Sequence, residues 1–335
     1  AAHVADEARR GKLPKPRDGA VPVAGGIFAL AMGKMGAREL NYSSDIDLIV
    51  LYDDAAYAPE DQHEVRASLI RATRKAAATL SDPTAHGYVF RTDLRLRPDA
   101  SVTPVCISAS AALSYYEAEG RSWERAAYIK ARPCAGDLAA GERFLTALRP
   151  FVWRRHLDFA TVEDTHEMRR RIRDHKGLHG EIRALGQNMK LGRGGIREIE
   201  FYAQTQQLIL GGRDPALRSS RTVEALHALA GAGHISADVA EELASAYAEL
   251  RGLEHRVQMQ DDEQTHILPA DPERRRAVAA LSGEADLGLF DAAVEGLLFG
   301  VNHRYGELFE GEETLSSSYG SLVFTGVEND PETLD

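Results

Sequence analysis

Apolar residues first cluster at Ile27–Met32, a short unbroken run that stops at Gly33 and predicts a buried strand. A second run, Ile46-Asp47-Leu48-Ile49-Val50-Leu51-Tyr52, predicts another strand beginning at Asp45. Between residues 60 and 80, Val65, Leu69, Ala72, Ala76, Ala77 and Leu80 recur at helical spacing, and Asp82-Pro83 ends that helix. Gly87 then admits a third expected strand, Tyr88–Leu96, closed by Pro98. Beyond about residue 110 the strand signal fades and helical periodicity takes over. Helices are expected at 111–119, 122–131, 159–174, 196–210 and 236–260, with two more across 272–310. The pattern predicts an α+β chain: a lead-in at 1–22, a small α/β domain at 23–110, a larger all-helical domain at 111–310 and a connector at 311–335.

Within that frame, the junction of glycine turn and second strand carries the most chemistry. On a strand, alternate side chains share a face, so Asp45 and Asp47 lie side by side while Ile46 points away. Two adjacent carboxylates at the mouth of an apolar strand repel each other unless cations sit between them, as in two-metal phosphoryl transfer. The expected third strand adds Asp93, with Arg95 and Arg97 on the same face. Three carboxylates can hold two Mg²⁺ ions, and neighbouring arginines can hold the phosphates those ions polarise.

Other motifs are less telling. Gly33-Lys34-Met35-Gly36 is not a dinucleotide fingerprint, because eight residues between Gly36 and Asp45 cannot contain a crossover helix. It better fits a turn whose amides approach a phosphate. Asn188–Phe201 is not a Walker A loop, since Lys190 precedes its glycines. Lys190, Arg193 and Arg197 around that turn and helix start nonetheless suit an anion. His175 and His179 have metal-pair spacing, but Gly177 intervenes and no third ligand accompanies them. Trp123 and Trp153 read as packing residues. Asp261-Asp262-Glu263 reads as an acidic helix end, and Glu263-Gln264-Thr265-His266 as a partner-contact candidate.

Composition narrows the class. The net charge of −11 argues against a nucleic-acid partner. Apolar runs all fall short of the roughly 18 residues of a membrane span. Two cysteines, Cys106 and Cys134, make no disulfide framework, so a cytoplasmic protein is expected. The start at Ala1 rather than Met suggests a piece of a longer protein.

The glycine turn, Ser44-Asp45-Ile46-Asp47 and Asp93 resemble the nucleotidyltransferase superfamily related to DNA polymerase β. More closely, blocks at Gly33–Tyr52, Phe90–Pro98, Gly120–Arg132, Leu148–Phe159, Asn188–Phe201 and Asp262–Pro269 resemble the glutamine synthetase adenylyltransferase/adenylyl-removing family. Asn41-Tyr42-Ser43-Ser44-Asp45-Ile46-Asp47 and the Asn188–Phe201 block resemble the N-terminal, adenylyl-removing half. The resemblance implies phosphorolysis of an AMP–tyrosine ester on glutamine synthetase, giving ADP, with adenylylation of glutamine synthetase from ATP, or a non-catalytic regulatory binding half, as the alternatives. It also implies Mg²⁺, with Mn²⁺ an alternative, at Asp45, Asp47 and Asp93. Gly33, Lys34, Gly36 and Ser44 would line the nucleotide phosphate. Arg95, Arg97, Lys190 and Arg193 join them on charge and placement. ATP or ADP would be the nucleotide, and a PII signal protein and glutamine would be effectors. Ala37 departs from the family's usual second glycine.

Overall fold

The computed structural model describes residues 1–17, 23–155, 180–261 and 263–316, with backbone alone from 308 onward. The expected helix at 159–174 and the His175/His179 pair lie outside the described residues.

The α+β architecture is as expected. Helix α1 (Ala2–Arg9) precedes strand β1 (Ile27–Ala31), a one-turn helix α2 (Gly33–Gly36), strand β2 (Ile46–Tyr52) and helix α3 (Gln62–Ser81). Two short strands follow, β3 (Thr92–Asp93) and β4 (Ile107–Ser108), then helices α4 (Ala109–Ala118) and α5 (Ser122–Tyr128). Strand β5 (Arg132–Gly136) and helix α6 (Leu138–Val152) complete this layer. The helical layer comprises α7 (Ile196–Leu210), α8 (Thr222–Gly231), α9 (Ala237–Asp261), α10 (Pro272–Leu281) and α11 (Leu287–Ser316). Among the described residues, no helix is long and apolar enough to cross a membrane.

The sheet order is β3-β2-β1-β5, with β4 also on β2. β1 runs antiparallel to β2 and to β5, whereas β3 and β4 run parallel to β2. Strand alternation sorts the side chains into two cores. Phe28, Leu30, Ile49 and Leu51 pack with Tyr116, Phe144 and Leu148 of α4 and α6. Ile27 and Tyr52 face the opposite way, with Val65 and Leu69 of α3. Asp47 has the parity of Ile49 and Leu51, which aims it at the side where α4, α5 and α6 pack.

Two expectations need correction. Strands do not end near residue 110: β5 lies well past it, and α4 to α6 share a core with the sheet. The β5 sequence, Arg-Pro-Cys-Ala-Gly, carries no alternation. Pro133 is tolerated because β5 is the last strand on this path, where an amide can be spared. The third strand is also not a nine-residue element. Asp93 accepts a hydrogen bond from the Arg95 amide at 2.8 Å, a local turn that diverts the chain after two parallel pairings, Thr92 with Ile46 and Asp93 with Asp47. Upstream, the Val89 and Phe90 amides are taken by the Leu80 carbonyl at the end of α3. Asp93, Arg95 and Arg97 therefore do not line one strand face.

Candidate active site

Register brings the three carboxylates together. Asp47 is paired with Asp93 across β2 and β3, and the Ile46 amide donates to the Arg91 carbonyl at 2.8 Å. One oxygen from each of Asp45, Asp47 and Asp93 lies within 4.8 Å of the others. The cluster forms one wall of a cleft of about 440 Å³ between the sheet layer and the helical layer. Burial, and then repulsion from Asp45 and Asp93, push the Asp47 carboxyl up to about 6. Asp93 moves the other way, because hydrogen bonds from Arg95 hold it below its ordinary value.

These features fit a hard divalent cation. The donors are all carboxylate oxygens, two lie at adjacent register positions, and Asp47 is half-neutralised near pH 6 for want of countercharge. The sign gives a test. A carboxyl whose folded-state pKa is raised contributes stability while protonated, and that stability is lost as pH rises through about 6. A bound divalent cation removes the penalty, so Mg²⁺ or Mn²⁺ should raise the thermal midpoint clearly at pH 8 and little at pH 5. Equal shifts at both pH values would contradict this charge balance.

The expected phosphate-binding residues divide. Gly33 lines the cleft with φ of +51°, and a Cβ there would sit 3.1 Å from Asp47 Oδ2. Lys190 lines the opposite wall, and its ammonium makes no hydrogen bond or ion pair with another described residue. Burial lowers its pKa first, with Arg197 adding to the effect. Arg95 also reaches the cleft, bound to Asp93 at 2.5 Å with its side chain 84% exposed.

The remaining candidates are engaged elsewhere. Arg97 donates to the carbonyls of Leu94, Ala100 and Thr103, shaping the loop after β3. Arg193 reaches Asn302 on α11. Gly36 lies against the Lys130 carbonyl, where an added Cβ would come within 1.8 Å. The Ser44 hydroxyl is buried without a hydrogen-bond partner among the described residues. Lys34 turns to Asn41 at 2.9 Å and Glu254 at 3.6 Å, and burial lowers its pKa to about 8.

The glycine turn before α7 differs from a phosphate loop for a clear reason. The amides of Ile196, Arg197 and Glu198 are already taken by the carbonyls of Met189, Lys190 and Gly195. Gly194, at φ +72°, is where the turn meets Leu298 of α11. An anion at this turn would have to be held by side chains.

Several cleft residues were not expected as functional ones. Trp123 from α5, and Phe201 and Gln204 from α7, line it together with Lys130 and Arg197. Lys130 bonds Glu200 at 2.6 Å and Arg197 bonds the other Glu200 oxygen at 2.9 Å. Burial would raise the Glu200 carboxyl, but Lys130 and then Arg197 outweigh it and hold it well below the usual range. Gln264 donates to Asp45 Oδ1 at 2.7 Å, so the stretch expected to contact a partner reaches the carboxylates. That stretch is pinned by the Met189 amide to the His266 carbonyl and the Leu268 amide to the Gln187 carbonyl, both 2.8 Å. A buried network couples the layers: Asn41 donates to Glu254 at 2.6 Å, and His266 meets the other Glu254 oxygen at 2.8 Å.

Several known proteins resemble this chain in sequence. The glutamate-ammonia ligase adenylyltransferase family profile matches residues 2–147, and a GlnD PII-uridylyltransferase profile matches residues 166–310. The bifunctional glutamine synthetase adenylyltransferase/adenylyl-removing enzyme of Caulobacter vibrioides is 55% identical over 331 residues, covering 99% of this chain and 34% of that protein. The enzyme of the same name from Rhizobium meliloti is 52% identical over 326 residues, covering 97% and 33%. That of Agrobacterium fabrum is 50% identical over 333 residues, covering 99% and 33%. The chain thus spans about a third of the length of the curated relatives it matches. With a three-carboxylate cleft between an α+β layer and a helical layer, and identity of half or more to these relatives along nearly its whole length, the chain is a nucleotidyltransferase related to the glutamate-ammonia ligase adenylyltransferase family.

Proposed function

We propose that this chain removes AMP from an adenylylated tyrosine of glutamine synthetase by phosphorolysis. The observation that carries the reading is that Asp45, Asp47 and Asp93 share one cleft with a half-buried Lys190 whose ammonium is unpartnered among the described residues. An oxygen of orthophosphate attacks the phosphorus of the AMP–tyrosine ester. The bond from phosphorus to the phenolic oxygen breaks, ADP forms, and the tyrosine phenolate takes up a proton.

Lys190 and the half-exposed Arg197 are placed to hold the attacking phosphate. Glu200, ionised by its two cations, keeps Arg197 pointed at the cleft. Asp45, Asp47 and Asp93 would hold Mg²⁺, or Mn²⁺, which would supply charge neutralisation at the reacting phosphorus and at the leaving oxygen. Gly33 leaves room beside Asp47 where any side chain would crowd it. Cytoplasmic residence, and regulation through a PII protein and glutamine acting on the longer protein, belong to the same reading.

The test is to incubate the chain with adenylylated glutamine synthetase, Mg²⁺ and orthophosphate and to look for ADP. ADP formation that depends on phosphate supports removal. AMP incorporation from ATP into unmodified glutamine synthetase, without ADP release from the adenylylated form, would overturn it.

A further inference from the structure

Part of the cleft's lining is chemically unlike the carboxylate wall. On α7, Arg197, Phe201 and Gln204 follow one another at spacings of four and three, which sets them on one helical face. On α5, Trp123, Ala126 and Ala127 present a matching face to the same cavity. The result is a slot lined by two aromatic side chains and by small residues, in the same cleft as Asp45, Asp47 and Asp93, with the Arg197 guanidinium 5.6 Å from the centroid of the Phe201 ring. Ala126 and Ala127 keep it open where larger side chains would fill it.

Gln204 sits in this slot with only 7% of its surface exposed. Its carboxamide makes no hydrogen bond with another described residue, although it carries two donors and an acceptor. Its neighbour on the next turn, Gln207, shows the ordinary outcome: it too is buried, and it donates to the Leu217 carbonyl at 2.6 Å and the Ser219 carbonyl at 2.8 Å. Gln204 is among the residues that line the cleft, and its carboxamide is not sealed off from it, so its donors and acceptor stand available to a ligand there.

We infer that this slot is the purine-base subsite, in which Trp123 and Phe201 offer stacking surfaces and Gln204 reads the adenine edge. A carboxamide matches adenine by accepting from the exocyclic N6 amine while donating to an adjacent ring nitrogen. Aromatic side chains supply stacking to any base, so the selectivity falls to Gln204. The subsite rests on the nucleotidyl-transfer reading above. It adds which part of the cleft takes the base and why that base is adenine. Arg197, one turn before Phe201, marks the passage from base slot to phosphate region.

The test compares ADP with pyrophosphate, which carries the same kind of charge and no base, by calorimetric titration in Mg²⁺. Gln204→Met keeps the side chain's length and removes its hydrogen-bonding groups. It should weaken ADP about tenfold and leave pyrophosphate unchanged. Phe201→Leu should show the same split. Equal weakening of both ligands, or unchanged ADP affinity, would overturn the subsite. These titrations read binding alone, so they stand apart from whether the chain removes or adds AMP. Wild-type protein that binds neither ligand in Mg²⁺ would instead sink the nucleotidyl-transfer reading, and the subsite with it.

Discussion

Asp45→Asn is expected to lower turnover by about 10³-fold while leaving the fold intact. The loss is that size because the substitution removes one of three charges that converge within 4.8 Å, and preorganised charge at the reacting phosphorus contributes on that scale. The fold should tolerate the change, since Asp45 repels Asp47 in the metal-free protein and the smaller charge relieves it. The introduced carboxamide can also keep the contact with Gln264, by presenting its carbonyl oxygen to the amide now bonded to Asp45. The measurement is steady-state turnover at saturating Mg²⁺ beside a thermal melt. Turnover within tenfold of wild type, with an unchanged melt, would remove the carboxylate cluster from the reaction.

Glu254→Ala should be the most damaging single change to stability, at about 3–5 kcal/mol. Glu254 is buried on α9 and receives Asn41 at 2.6 Å, His266 at 2.8 Å, Arg251 at 3.1 Å and Lys34 at 3.6 Å. Removing the carboxylate leaves Lys34 and Arg251 close together without their shared counterion. Acid should reproduce part of the loss. Burial opposes ionisation of Glu254, but His266, Lys34 and Arg251 prevail and hold its pKa at about 2, below the reference 4.5. A depressed folded-state value means stability that is fully present above about pH 4.5 and lost as pH falls toward 2. The shift corresponds to about 3 kcal/mol. Chemical denaturation between pH 7 and pH 3 reads both effects. In Glu254→Ala the acid dependence should flatten; an unchanged slope would place the dominant titration elsewhere.

Local signals explain what the sequence reveals. Strands β1 and β2, helices α3 and α7 and the long helix α9 all fall where apolar runs or helical stripes indicate, because each buries one continuous face. β5 and β3 follow from contacts instead. β5 is a strand because β1 offers an unpaired edge, and its proline conceals it from pattern reading. β3 is short because Asp93 captures a backbone amide two residues on. Parity along β2 was enough to pair Asp45 with Asp47, and the third carboxylate was legible from an expected third strand, which does pair with β2 at Asp93 although it is far shorter than expected.

The second wall of the cleft was legible only in part. Lys190 and Arg197 stood out as cations near a glycine turn. The diversion of Arg97 to loop carbonyls, of Arg193 to α11 and of Lys34 to Glu254 depends on partners 3 to about 220 positions away, which spacing does not encode. Trp123 and Gln204 look in sequence like any buried aromatic and amide. Their cleft position emerges only once α5 and α7 face each other. A buried glutamine without a partner is a signal that requires coordinates.

The Glu254 hub has a consequence for inheritance as well as for stability. Its contacts run from a helix matched by one family profile to Lys34 and Asn41, in a segment matched by another. The two segments therefore behave as one transmissible unit: a chimera joining the sheet layer of one relative to the helical segment of a distant one inherits two half-sites with mismatched counterions. Lineages that drift at Asn41 or Lys34 should show compensating drift at Glu254, Arg251 or His266, on the far side of the seam.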